Sequence, residues 1–394
     1  MSVVWAFVDP AAPAWLARVT ALWSRLDPAL SVPDYFVKTT FVKLGGRLAV
    51  AESGAVALLF PRGLDGGRRM FTLRMHGAGD MDALAALLAP DQFIAYDPTR
   101  PEALSYAATH TEVGGFAVGA PARDELAAIR TLHRAIWGGD EAARYPDDLH
   151  SHEFGPATSL VARRDGRVVG FLLGFYRFGL PGLASLGLPH QLDLAVESQV
   201  MGIVPEARRY GLAAILKREQ ARLALARGLD LIHWTTDPLQ FPNAVLNFGK
   251  LRAVAGEHFP SFYPFQNALN RVPASRLGLT WLPRSAHGHM GLADAPVAGE
   301  RDLARFPGCM LLNDGPTPRG DPGEAPALAL NIPNDWTALQ HDDVALASRW
   351  RTTSDELLAR YLGVAPGRYL VVDAAAESDR RYLVLQRFTP ELLR

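Results

Sequence analysis

The sequence predicts a mixed α/β (α+β) fold, a mostly antiparallel sheet flanked by helices, with a weaker second copy toward the N-terminus. Three observations carry this. Val200-Met-Gly-Ile-Val204 is apolar with little alternation, Pro205 ends the pairing because it has no N–H to donate, and Leu212, Ile215, Leu216, Leu223 and Ala226 then recur at helical spacing. Ser159–Arg163 and Val168–Phe175 are two apolar runs divided by Arg164-Asp-Gly166, a hairpin turn. The chain has 394 residues, 48% hydrophobic and 21% charged, enough for two or three domains around a large core.

Taken in order, 14–26 reads as a helix with Trp15, Leu16, Val19, Leu22 and Trp23 on one stripe. Strands are expected at 47–51 and 55–60 around the turn Glu52-Ser-Gly54, and again at 69–75. A helix at 81–88 and a strand at 92–96 complete a strand–helix–strand series, so residues 1–113 form a region of their own. Gly77-Ala-Gly79-Asp80 lacks an arginine and carries a carboxylate, so this region offers no phosphate turn. Residues 114–282 form the second region, with a strand at 116–118, a helix at 123–137 and the hairpin above. A Gly- and Pro-rich stretch at 181–189 reads as a loop. After the central strand, turn and helix, Gly228 stands at a C-cap position and Leu231-Ile-His-Trp234 reads as the next strand, followed by a helix from 242 to 254. Residues 283–394 form an extension with a strand at 327–332, helices at 335–351 and 354–362, and a hairpin from 368–373 and 381–386.

The turn Arg208-Arg-Tyr-Gly-Leu-Ala213 carries the chemistry. Amides at a helix N-terminus and the positive dipole end favour an anion, Arg208 and Arg209 add charge, Gly211 permits close approach and Ala213 keeps the first turn slim. A diphosphate suits it. With Arg208, Gly211 and Ala213 at the places of an Arg/Gln-x-x-Gly-x-Gly/Ala signature, the stretch resembles the GNAT superfamily of acyl-CoA-dependent N-acyltransferases. The six-residue pattern alone is weak. The strand before it, the amphipathic helix after it and the strand at 231–234 strengthen it.

The resemblance implies an acetyl-CoA or succinyl-CoA co-substrate, a primary amine acceptor and no metal. It covers roughly residues 117–281. Thr236-Asp-Pro-Leu-Gln240, Asn243-Ala-Val-Leu-Asn247, Pro260-Ser-Phe-Tyr263 and Asn270-Arg271 are similar to a branch that includes amino-acid N-succinyltransferases. By the family's register, the Met201 N–H would hold the thioester oxygen and Ile203 the pantetheine amide. Arg208, Arg209, Tyr210, Gly211, Leu212 and Ala213 would hold the diphosphate, and Asn243 and Asn247 the pantetheine arm. Glu197 matches the place of a general base in histone-type members. At period two it would share a face with Met201, with Gln199 alongside to orient a water. The bland alternative for Glu197 is a carboxylate satisfied by backbone or an arginine. The chain departs from the pattern at Phe248, which stands where many members carry the tyrosine that protonates the thiolate. Lys250, Arg252 and Arg271 are candidate partners for a substrate carboxylate.

Other features bound the partners. A net charge of −1 implies no broad affinity for nucleic acid or membrane, and no apolar stretch reaches spanning length. One cysteine, Cys309, excludes an internal disulfide framework, and together with the lack of a signal-type run makes the cytoplasm the expectation. His150-Ser-His152 and His287-Gly-His289 lack a metal-ligand framework, and His233 reads as a satisfied core residue. A homodimer stays open. So do two competing readings: a catalytically silent acyl-CoA binder and an acyltransferase acting on a protein amine.

Overall fold

The computed structural model describes residues 4–97, 100, 104–106, 108–138, 144–155, 158–179, 193–263, 270–293 and 302–393. The loop expected at 181–189 lies outside them. The chain divides into two compact units, Met1–Gly179 with Leu192–Leu229, and Leu180–Gln191 with Asp230–Arg394. The cuts coincide with neither 113 nor 282, so the segment 114–282 contributes to both units.

In the first unit, β1 (Trp5–Phe7) is followed by α1 (Trp15–Trp23), β2 (Arg47–Ala51), β3 (Val56–Asp65) and β4 (Arg68–His76). After α2 (Met81–Leu88), β5 (Gln92–Tyr96) completes a five-stranded sheet ordered β1-β2-β3-β4-β5. Its pairs are antiparallel except β4–β5, which is parallel because α2 carries the chain back along the sheet. Asp80 caps α2 by accepting the Ala83 N–H at 3.0 Å. A carboxylate therefore occupies the helix N-terminus where a phosphate turn would present bare amides.

The same unit holds β6 (Thr111–Val113), β7 (Phe116–Gly119), α3 (Leu126–Trp137), β8 (Ser159–Arg164), β9 (Arg167–Arg177) and β10 (Ala195–Ile203). A short α4 (Pro205–Arg208) and then α5 (Leu212–Leu225) follow. The strands form an antiparallel series ordered β10-β9-β8-β7-β6. Leu126, Ile129 and Leu132 of α3 pack with Phe171 on one face, and Leu212 and Leu216 of α5 pack with Leu172 on the other.

The N-terminal segment shares its core with this sheet. Phe36, Phe41 and Phe60 join Tyr145, Phe154 and Phe175 in one cluster, with the Phe36 and Phe175 rings 5.1 Å apart. Arg74 on β4, fully buried, donates to Asp148 at 2.7 and 3.3 Å, and the Tyr96 hydroxyl donates to the same carboxylate. A buried guanidinium needs such a partner, so the contact ties β4 and β5 to the chain around residue 148.

The second unit contains β11 (Ile232–Thr236), α6 (Phe241–Ala244), β12 (Val254–Tyr263) and β13 (Ala274–Trp281). The helix expected over 242–254 is shorter: α6 runs into a π-helical stretch, Val245–Lys250, closed by Leu251 N–H on Leu246 O at 2.9 Å. Arg252 then takes a φ of 57°, which ends the helix. The extension supplies β14 (Cys309–Leu311), a separate ladder of β15 (Asn313–Asp314) and β16 (Thr317–Pro318), then β17 (Ala327–Ile332). It continues through α7 (Trp336–Asp342), α8 (Val344–Tyr361), β18 (Tyr369–Glu377) and β19 (Arg380–Arg387). Strands within the unit are ordered β14-β17-β19-β18-β12-β13-β11, with β18 paired to β12. The helical stretch expected to run unbroken over 335–351 breaks at Asp343, whose carboxylate accepts the Leu346 N–H at 2.8 Å and starts α8. Among the described residues no helix is long and apolar enough to cross a membrane.

Candidate functional site

The pairing of β10 with β9 decides which side chains share a face. Glu197 stands opposite Phe175 and Ser198 opposite Gly174, but Val200 stands opposite Leu173 and Met201 opposite Leu172. Gln199 is the extra residue of a β-bulge. Phe175 and Leu172 point to opposite faces of β9, one into the cluster with Phe36 and Tyr145, the other toward α5. Glu197 and Met201 therefore lie on opposite faces, contrary to the period-two expectation, because one inserted residue reverses the alternation. Gln199 does lie on the Glu197 side; its amide donates to the Tyr145 hydroxyl at 3.0 Å.

Glu197 is 5% exposed and accepts from Arg177 at 2.6 Å. Its surroundings match the bland alternative, a carboxylate satisfied by an arginine. Taking up an amine proton here would break the buried ion pair with Arg177. Lys217 on α5 is buried as well, and burial lowers its pKa to about 7 against the opposing pull of the Glu197 charge.

Beyond the bulge, Met201 and Ile203 lead through Val204 and α4 to Gly211, whose φ of 73° and ψ of 14° are left-handed. A Cβ added there would meet nothing within 4 Å, so the glycine answers to backbone conformation and not to crowding. The amides of the turn are partly used. Arg209 N–H points to Ala207 O, Tyr210 N–H bonds Ala207 O at 3.2 Å, and Gly211 N–H reaches Arg208 O at 3.4 Å. Leu212 and Ala213, the first two positions of α5, have amides without a helical acceptor, which narrows the diphosphate site expected over Arg208 to Ala213. Arg208 Nε donates to Ile203 O at 3.1 Å. Arg164 and Arg209 stack on the exposed Tyr210 ring at 4.5 and 5.0 Å, and their hydrogen bonds hold its phenol below the usual range. The turn is thus flanked by cations.

A shallow cavity with an enclosed volume of about 10 Å³, room for little more than one water, opens between α3, residues 144–150, β9 and the β10 bulge. His133, Arg144, Tyr145, His150 and Val200 line it. His150 Nδ1 lies 2.6 Å from Ser159 Oγ, and burial pushes both imidazoles down to about 4. The sequence reading did not single out His133; its one signal is its place at i+4 from Ile129 on the buried stripe of α3.

The second unit holds the remaining candidates. Asn247, buried, accepts from Trp234 Nε1 at 3.3 Å, while Asn243 is exposed. Phe248 is fully buried. Arg252 pairs with Asp373 at 3.5 Å, so its charge is already answered by the extension. Lys250 is half-buried, and Arg271 is exposed, its N–H donating to Gln340 at 3.1 Å. His233 lies 3.2 Å from Glu257, a satisfied core residue as read from the sequence. Cys309 is free and half-buried, and burial raises its thiol pKa. Among the described residues no group of three histidine, cysteine or acidic side chains could hold a metal.

The chain is similar to Ard1 from Thermoplasma volcanium at 13% identity, over 43% of this chain and 97% of that one, with a TM-score of 0.32. It is similar to Arabidopsis thaliana Naa50, solved with the bisubstrate analogue CoA-Ac-MVNAL, at 12% identity over 42% and 97%, with a TM-score of 0.32. Drosophila melanogaster polyamine N-acetyltransferase matches at 12% identity over 42% and 99%, with a TM-score of 0.31. No protein-family profile matches the chain, and no curated protein matches its sequence.

Proposed function

We propose that the chain is a CoA-dependent N-acyltransferase of the GNAT type, moving an acetyl or succinyl group from a thioester to a primary amine of an amino acid or related small molecule. The observation that carries this is local: a bulged strand runs through a short proline-led turn to a left-handed glycine and a helix with open first-turn amides. Arg208, Gly211 and Ala213 occupy the signature places in that geometry. The diphosphate binds at the amides of Leu212 and Ala213 beside Arg209 and Tyr210, with Gly211 making room. Met201 N–H polarises the thioester carbonyl and Ile203 meets the pantetheine. Glu197, with Gln199 beside it, is the base candidate if the Arg177 pair opens during turnover. Lys250, Arg252 and Arg271 are candidates for a substrate carboxylate.

A second reading, a silent acyl-CoA binder, is favoured by the Glu197–Arg177 pair and by the fully buried Phe248 at the usual tyrosine place. Acetyl-CoA and succinyl-CoA tested against free amino acids, amines and peptides, followed by thiol release, separate the two. Turnover with a free amino acid supports the enzyme. Tight CoA binding by calorimetry with no turnover on any acceptor supports the silent binder, and absence of CoA binding removes both.

A further inference from the structure

The β8–β9 hairpin carries positive charge toward the turn before α5. Arg164 and Arg167 stand directly opposite each other across the Asp165-Gly166 loop, so their side chains share one face. Like charges in that position destabilise a hairpin unless something answers them. Segments 164–167 and 205–213 together hold four arginines, Arg164, Arg167, Arg208 and Arg209, against two carboxylates, Asp165 and Glu206. All six side chains are exposed, and among the described residues none of these arginines is in an ion pair. By contrast, Arg163, one position earlier, is answered by Glu125. Tyr210 joins the two segments. Its residue is 44% exposed, Arg164 lies over the ring at 4.5 Å and Arg209 at 5.0 Å, and Arg209 donates to the hydroxyl at 2.9 Å. Arg164 also lies over the Phe116 ring at 5.6 Å. The two rings hold the guanidinium in place without neutralising it.

A diphosphate at the Leu212 and Ala213 amides brings about two negative charges, which Arg208, Arg209 and the helix N-terminus suffice to answer. Arg164 and Arg167 are then left over. We propose that these two hairpin arginines bind a second, monoester phosphate on the same donor, so that the ligand is CoA with its ribose 3′-phosphate and not the 3′-dephospho form. The proposal rests on the acyltransferase reading. A phosphate monoester carries close to two further negative charges at neutral pH. It stands one sugar away from the diphosphate, and Tyr210 puts Arg164 beside the diphosphate site and not on it. Arginine suits this group because its fork meets two phosphate oxygens at once.

Binding of CoA and of 3′-dephospho-CoA is measured by calorimetry in the wild-type chain, Arg164→Gln, Arg167→Gln and Arg25→Gln, the last an exposed charge outside both segments. The wild-type chain should bind CoA at least about tenfold more tightly than dephospho-CoA, and added salt should shrink that ratio. Arg164→Gln and Arg167→Gln should bring the ratio to about threefold or less by weakening CoA alone, with dephospho-CoA affinity unchanged. Arg25→Gln should leave the ratio as in the wild type. A ratio that survives in both hairpin variants overturns the proposal. So does a ratio that falls as far in Arg25→Gln, which would mark a general field of the surface. If the hairpin variants fail to fold, the wild-type ratio at low and high salt decides. Equal wild-type affinity for the two ligands overturns the second phosphate site only, whereas binding of neither overturns the acyltransferase reading with it.

Discussion

In the proposed function, single residues on β10 and in the turn after it carry the chemistry, and two substitutions test them. Gly211→Glu puts a side chain on a left-handed backbone and a negative charge where the diphosphate would sit. CoA affinity should fall at least about tenfold by calorimetry, while the melting temperature shifts by only a few degrees. The Glu197–Arg177 pair makes the opposite kind of prediction. Glu197→Gln breaks a buried ion pair, so stability should fall by about 3–5 kcal/mol in urea unfolding. Glu197→Gln combined with Arg177→Met should recover most of that loss. If the single variant keeps full stability and loses only turnover, Glu197 is a catalytic group and not a structural one.

Among the elements, α5 differs most from its reading in the sequence. The periodicity puts Lys217 and Ala221 largely opposite the apolar stripe, yet both are buried, together with Glu219 and Gln220. A helix crossing a sheet broadly is covered on more than one stripe, and composition alone does not mark the second. Lys217 makes this measurable. Its pKa is lowered to about 7 in the folded chain from the ordinary lysine value of 10.5, so between those values the unfolded chain binds more protons. Stability should therefore rise with pH over about 7 to 10.5, with a slope approaching about 1.4 kcal/mol per pH unit, and be independent of this group below that window. Lys217→Met should flatten the rise in urea midpoints measured across it. A wild-type profile that is flat there would show that Lys217 keeps its charge through another contact.

At the scale of the whole chain, the added segments are parts of the cores and not appendages. Phe36, Phe41 and Phe60 complete the packing of Tyr145, Phe154 and Phe175, and Arg74 answers the Asp148 carboxylate. Removing residues 1–113 strips those partners, and the remainder should lack a cooperative melt and bind a hydrophobic dye. A cooperative transition in that truncation would contradict the shared core. In the second unit, Arg351 of α8 donates to Asp237 at 2.7 Å, and Asp355 accepts from Ser275 at 2.7 Å. Arg351→Met should accordingly cost about 3–5 kcal/mol, read as a lower urea midpoint, because it removes the shorter of two buried ion pairs on Asp237 and keeps the more distant Arg276 at 3.3 Å and the Leu239 N–H at 2.9 Å.

What the sequence determined by itself was written in neighbouring residues. The hairpin at Asp165-Gly166, the helix Met81–Leu88, the strands Gln92–Tyr96 and Ala327–Ile332, and the Gly211 turn each follow from turn chemistry or periodicity within about a dozen positions. Tertiary structure decided what depends on partners far along the chain. Nothing in the residues around Gln199 announces the bulge; it appears only once β9 fixes the register, and it sets Glu197 and Met201 on opposite faces. Arg177 lies 20 positions from Glu197, and Arg252 lies 121 from Asp373, taking the difference of their numbers. His133 looks like any polar residue on a helix until residues 144–150 fold over it and leave a cavity at its ring. Local backbone preference acts within a few residues and can be read there, whereas burial and charge pairing are properties of contacts that exist only after the chain has closed on itself.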